Sequence, residues 1–187
     1  EYREKISKAH LSEEVERKKR RNPREGEVRF VQPQSMITLA TACQMERRYK
    51  DSIPWLRKAL KRSDSPKESW LLMLMVATYQ EKLYAETAEV LDDLIRLNPS
   101  KEDYWQQQAS MYQLLEKNQL ALRTLELGYA GGYIKKPDSI LSLVQLLITQ
   151  NVPERAGRIL QKHLEDGTIE LNERNWRILA AAWQQGR

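Results

Sequence analysis

Residues 102–128, EDYWQQQASMYQLLEKNQLALRTLELG, decide the fold. Trp105, Gln108, Ala109 and Tyr112 stand 3, 1 and 3 residues apart; after a break, Ala121, Leu125 and Gly128 follow at 4 and 3. Each series lines one face of a helix, so the stretch reads as two amphipathic helices joined by a short turn. The same spacing returns on both sides. Upstream lie Leu71, Leu74, Met75 and Thr78 with Tyr84, Thr87, Leu91 and Leu94, and before them Met36, Leu39, Ala40 and Cys43 with Tyr49, Ser52, Leu56 and Ala59. Downstream lie Ile140, Leu143, Val144 and Leu147 with Ala156, Leu160 and His163, and then Trp176, Leu179, Ala180 and Trp183. The period is 34 to 36 residues. A two-helix unit of this size cannot bury its apolar face alone, whereas stacked units share a continuous core.

The expectation is therefore an all-α superhelix, right-handed, of about four and a half two-helix units. Units start near 33, 68, 102, 137 and 173, and helices begin near Gln34, Lys50, Glu68, Tyr84, Glu102, Asn118, Pro137, Pro153 and Glu173. Ala40, Ala109 and Ala180 in first helices, with Ala59 and Gly128 in second helices, mark the closest contacts, and Trp105, Trp176 and Tyr112 fill the space beside them. Pro54 fits an early position of a second helix and Pro99 a helix end. The array stops after the first helix of its fifth unit. Trp176, Leu179 and Trp183 then form an apolar face that needs cover from a self-contact, a neighbour or a continuation of the chain.

Composition agrees with this reading. Of 187 residues, 41% are hydrophobic and 30% charged, which favours a folded chain, and no apolar run approaches the ~20 residues of a membrane span. One cysteine, Cys43, and two distant histidines, His10 and His163, exclude a disulfide framework and a local zinc motif. Residues 1–29 form a separate charged segment in which Tyr2, Ile6, Leu11 and Val15 give a weak helical pattern. It ends in Arg17-Lys18-Lys19-Arg20-Arg21, either a solvated helix end or a contact for an anionic membrane surface or nucleic acid. The chain starts at Glu1 rather than methionine, so a processed or trimmed product is expected and any signal peptide would be out of view.

Trp105, Ala109, Tyr112, Ala121, Leu125 and Gly128, with Pro99 closing the preceding unit, resemble the tetratricopeptide repeat (TPR) pattern over residues 33–187. Within residues 129–187, Gly131-Gly132, Pro137, Leu146-Leu147, Pro153, Gly167, Glu170-Leu171-Asn172 and Asn175-Trp176-Arg177-Ile178-Leu179-Ala180-Ala181-Ala182-Trp183 resemble TPR proteins associated with TonB-type energy transduction in Gram-negative bacteria. The first resemblance implies a concave groove lined by first helices. The second implies a periplasmic protein assisting a TonB/ExbB/ExbD complex in iron uptake.

Groove candidates are then Gln34, Ile37, Thr38, Thr41, Gln44 and Met45 in unit one. Unit two offers Leu72, Met73, Val76, Tyr79 and Gln80, and unit three offers Asp103, Gln106, Gln107, Ser110, Gln113 and Leu114. The central set is Leu72, Met73, Val76, Tyr79, Gln106, Gln107, Ser110 and Gln113, an apolar stripe beside an amide-rich one. The stripe can be core or an exposed patch for a helix or extended peptide. The Lys, Asn and Arg of a chaperone-tail clamp are missing from these positions.

No catalytic constellation is expected, and no cofactor or metal. Gly128, Gly131 and Gly132 lack the Gly-Lys-Ser/Thr of a phosphate loop; His163 has no placed nucleophile and reads as structural; Cys43 reads as inert core; Glu165-Asp166 and Asp92-Asp93 read as solvated pairs. The favoured function is a non-catalytic protein-binding scaffold. The alternative is RNA binding, because pentatricopeptide repeats have a similar period, the chain is basic by +5, and Lys135-Lys136-Pro137-Asp138 resembles their repeat junctions.

Overall fold

The computed structural model describes residues 32–186 except 64 and 66. The charged segment at 1–29, with its basic run at 17–21, lies outside the described residues. Nine helices and no strands are found among them: α1 (Pro33–Met45), α2 (Tyr49–Lys61), α3 (Glu68–Gln80), α4 (Tyr84–Leu97), α5 (Glu102–Leu114), α6 (Asn118–Ala130), α7 (Pro137–Thr149), α8 (Pro153–Glu165) and α9 (Glu173–Gln185). Every start falls within one residue of the position expected from the period. Pro33, Pro137 and Pro153 open their helices, where a missing N–H leaves no bond unmade. Asn172 caps α9 by accepting from the Asn175 amide at 3.0 Å.

The turn inside each unit is the same device four times. Arg47, Lys82, Glu116 and Asn151 adopt φ of 57–58°, the left-handed conformation. The next residue's amide then reaches back five residues: Arg48 to Cys43, Leu83 to Thr78, Lys117 to Tyr112 and Val152 to Leu147, at 2.8–2.9 Å. This closure of a helix C-terminus reverses the chain and lays the second helix against the first.

Each helix packs most closely on the next, and one core runs through the array. Met36, Leu56, Leu91, Leu94, Leu125, Ile140, Leu143, Leu147 and Leu160 are almost wholly buried. The Trp105 indole donates to the Pro99 carbonyl at 2.8 Å and stacks on Tyr133 with ring centres 5.8 Å apart. It fits only because Gly128 faces it: a Cβ there would lie 2.9 Å from the indole and 2.9 Å from Ile134 Cδ1. Gly157 admits Trp183 the same way, with a Cβ approach of 3.0 Å.

Ion pairs tie successive units in register. Lys101 reaches Glu68 at 2.6 Å and Lys136 pairs with Asp103 across first helices; Arg57 pairs with Glu86, and Arg155 with Glu126 at 2.6 Å, across second helices.

Several expectations need correction at the ends. Leu39 is 46% exposed, although its equivalents Leu74, Leu143 and Leu179 are buried against the preceding second helix. No described helix precedes α1, so that contact is missing. Likewise Trp176 is 55% exposed and Ala180 is exposed, because the helix their equivalents meet is not among the described residues. Leu179 is buried and Trp183 half-buried against α8, so a self-contact covers part of the final apolar face. Cys43 is half-buried rather than core. Ile37, assigned to the groove, is buried at 6%. Pro54 lies past the first turn of α2; it removes the amide that would bond the Lys50 carbonyl, but its exposed side leaves that carbonyl to water.

Candidate functional site

A cavity of about 430 Å³ opens between α3, α4 and α5. Its floor is apolar: Met75 and Met111 from the two first helices meet Leu91 of α4, with Thr87 beside it. Val76, Tyr79 and Gln80 form one wall, and Gln106, Gln107 and Ser110 the other. Helical period explains the grouping, since 76, 79 and 80 share a face of α3 while 106, 107 and 110 share one of α5. Val76 (39%) and Tyr79 (47%) remain exposed beside a well-packed core. The Tyr79 ring leans on Tyr84 with centres 6.0 Å apart, which limits its freedom before anything binds.

The structure thus brings together five of the eight central candidates: Val76, Tyr79, Gln106, Gln107 and Ser110. Leu72 and Met73 are half-buried against the core, and the Met73 carbonyl accepts from Gln44 Nε2 at 2.9 Å, joining α1 to α3. Gln113 is exposed but outside the cavity. Sequence reading missed the floor, because Thr87 and Leu91 carry the core period of a second helix and Met75 that of a first.

Gln44 and Gln108 turn inward, the latter donating to the Ala88 carbonyl at 3.0 Å. Thr87 is likewise occupied, bonded to Thr78 and to the Leu83 carbonyl at 3.0 Å each. Among the described residues the side-chain amides of Gln80, Gln106 and Gln107 find no comparable partner, so the cavity walls carry donors and acceptors that a ligand could use.

Among the first helices, α9 carries Glu173, Arg174 and Arg177, whereas the four before it are nearly free of charge. In α1, α3, α5 and α7 the charged residues are Glu68, Glu102, Asp103 and Asp138, each within the first two residues of its helix. Of these, the Glu102 carboxylate accepts from the Lys136 amide, and Glu68 and Asp103 are ion-paired. The four helices contain no Lys or Arg. By contrast α2, α4 and α8 are rich in charge.

Tyr129, His163 and Asp166 form the main polar cluster away from this face. The Tyr129 hydroxyl lies 2.8 Å from His163 Nε2, and His163 Nδ1 lies 3.1 Å from Asp166 Oδ2 without hydrogen-bond alignment. Hydrogen bonds from Thr168, then the nearby His163, hold the Asp166 carboxyl below its ordinary range, while burial raises the Tyr129 phenol. The cluster locks α6 to α8. Among the described residues no group of three His, Cys, Asp or Glu is placed to hold a metal, and no helix is long and apolar enough to cross a membrane.

No family model matches the sequence, and neither does any curated protein sequence. Solved structures do match. MamA is similar with a TM-score of 0.56 and 16% identity, covering 82% of each chain. YrrB, a TPR protein with an unusual peptide-binding site, gives 0.56 and 13% over 81% of this chain and 76% of its own. A putative kinesin light chain of Podospora anserina with nearly identical TPR-like repeats gives 0.52 and 18% over 82% and 86%. The fold is that of a TPR-like helical repeat protein.

Proposed function

We propose that the chain is a non-catalytic scaffold that holds a protein partner on its concave face, centred on the cavity between α3 and α5. The observation that carries this is the combination of an apolar floor, unoccupied amides and absent charge at one open site. The peptide-binding site named for YrrB supports the reading by analogy of fold. We further propose a periplasmic role assisting a TonB-type complex, supported by the resemblance within residues 129–187.

RNA binding is the weaker reading, since nucleic-acid recognition draws on Lys and Arg, and of the five first helices only α9 has any, Arg174 and Arg177, away from the cavity. The test is binding of the purified chain to TonB, ExbB and ExbD segments and to RNA, with Tyr79→Ala alongside. Tyr79-dependent binding of a TonB-system segment supports both parts of the proposal. Salt-sensitive RNA binding indifferent to Tyr79 overturns the scaffold reading, and fractionation of cells tests the compartment.

A further inference from the structure

The distribution of charge around the cavity says most about the partner. Surface helices ordinarily carry charge on their wet side, yet Val76, Tyr79, Gln80, Gln107, Ser110 and Gln113 are exposed and none is charged. Glutamine recurs along the same side of the first helices, at 34, 80, 106, 107, 113 and 145, all exposed except half-buried Gln106. Each amide offers both donors and an acceptor.

Resting on the groove reading above, we propose that the ligand class of this face is an uncharged, extended peptide segment. It inserts one large apolar side chain between Met75, Leu91 and Met111, and its backbone is read by the glutamine amides of α3 and α5. Three features select this class. An extended backbone alternates N–H and C=O groups and leaves them unpaired, which matches amide side chains that both donate and accept. Two methionines on the floor adapt to differing apolar shapes, so the anchor is selected by size and hydrophobicity more than by outline. A carboxylate, phosphate or ammonium group entering the cavity would lose water and meet no counter-charge, so charged ligands are rejected.

The experiment displays a random peptide library against the full chain, then measures selected peptides by calorimetry at 0.05 and 0.5 M NaCl. The expected peptides contain one large aliphatic or aromatic residue flanked by uncharged residues, with affinity changing less than about threefold across that salt range. Gln107→Glu and Met111→Glu should each weaken them about tenfold or more, whereas Gln107→Asn should weaken them less. Retained helical circular dichroism separates lost binding from lost folding, and Gln107→Glu, at an exposed site, covers the case in which Met111→Glu fails to fold.

Enrichment of acidic or basic peptides with strong salt dependence, still weakened by Tyr79→Ala, overturns the uncharged class and leaves the groove reading standing. Peptides indifferent to Tyr79→Ala, Gln107→Glu and Met111→Glu overturn the groove reading itself. Failure to enrich any peptide overturns the extended-peptide class.

Discussion

Helices α3 and α4 stand side by side, yet α3 has one charged residue, Glu68, while α4 has Glu86, Glu89, Asp92, Asp93 and Arg96. Both bury a core face. The difference lies in what they do with the remainder. On α4 charge keeps the outer side wet, because desolvating it costs heavily. On α3 the open side presents Val76, Tyr79 and Gln80, groups that can be covered again at small cost. The proposed docking face is thus the one that can be covered at small desolvation cost, and the charged face the one for which covering costs heavily.

The sharpest way to test this division is to compare a residue that holds the helices together with one that only lines the space between them. Trp105→Ala removes the stack on Tyr133, the bond to the Pro99 carbonyl and the contact with Gly128. It should cost about 3–5 kcal/mol and lower the melting temperature sharply. Gly128→Val attacks the same contact from the other side, since its Cβ would press on Trp105 and Ile134, and should be destabilising as well.

Tyr79→Ala and Gln107→Ala sit on the open side and should behave oppositely. Partner affinity should fall by roughly 1–3 kcal/mol for each, with melting nearly unchanged. If Tyr79→Ala melts as early as Trp105→Ala, Tyr79 belongs to the core and the inner face is not a docking surface. If affinity for a verified partner is untouched by both, the cavity is not where that partner binds.

The sequence made the helices legible because their period repeats, and repetition averages out local ambiguity. Position within a unit does not reveal whether a neighbour exists. Leu39 and Leu74 occupy the same register, but only Leu74 has a described helix before its own to pack against. The cavity was half legible for a related reason. Val76, Tyr79, Gln106, Gln107 and Ser110 follow from the face of a first helix, whereas Leu91 and Thr87 bear the ordinary core spacing and reach the floor only through the stacking of α4. The turns were hidden entirely. Arg47, Lys82, Glu116 and Asn151 share a left-handed backbone, and none of them is the glycine that would have signalled it.

Those turns give a smaller effect of opposite sign. Lys82 is exposed and holds φ at 58°, a conformation that costs a non-glycine residue about 1–2 kcal/mol. Lys82→Gly removes that strain and adds unfolded-chain entropy, for a net gain of about 0.5–1 kcal/mol. Glu89→Gly, at an exposed position within α4, should instead cost about 1 kcal/mol. Chemical denaturation of the two variants checks the pair, and equal losses at both sites would show that the turn is not held left-handed.

The smallest effect concerns the one place where α3 does carry charge. Glu68 accepts from Lys101 at 2.6 Å and from the Tyr104 hydroxyl, and its carboxyl is held below the usual carboxylate range by Lys101 first and Tyr104 second, against the opposing effect of desolvation. The folded chain therefore binds this proton less tightly than the unfolded chain does. Its contribution is present above the ordinary glutamate pKa of about 4.3 and disappears as pH falls through the lowered value. Glu68→Gln should melt slightly earlier than the parent at pH 7, and the gap should close as pH falls through the lowered Glu68 value. Added salt should narrow it at pH 7, because Lys101 is exposed and screening weakens the pair. A gap that persists at low pH would mean that the link between α3 and α5 is packing and neutral hydrogen bonding. The charge at the start of the inner helices would then be dispensable, and the division between neutral and charged faces would extend to the first turn.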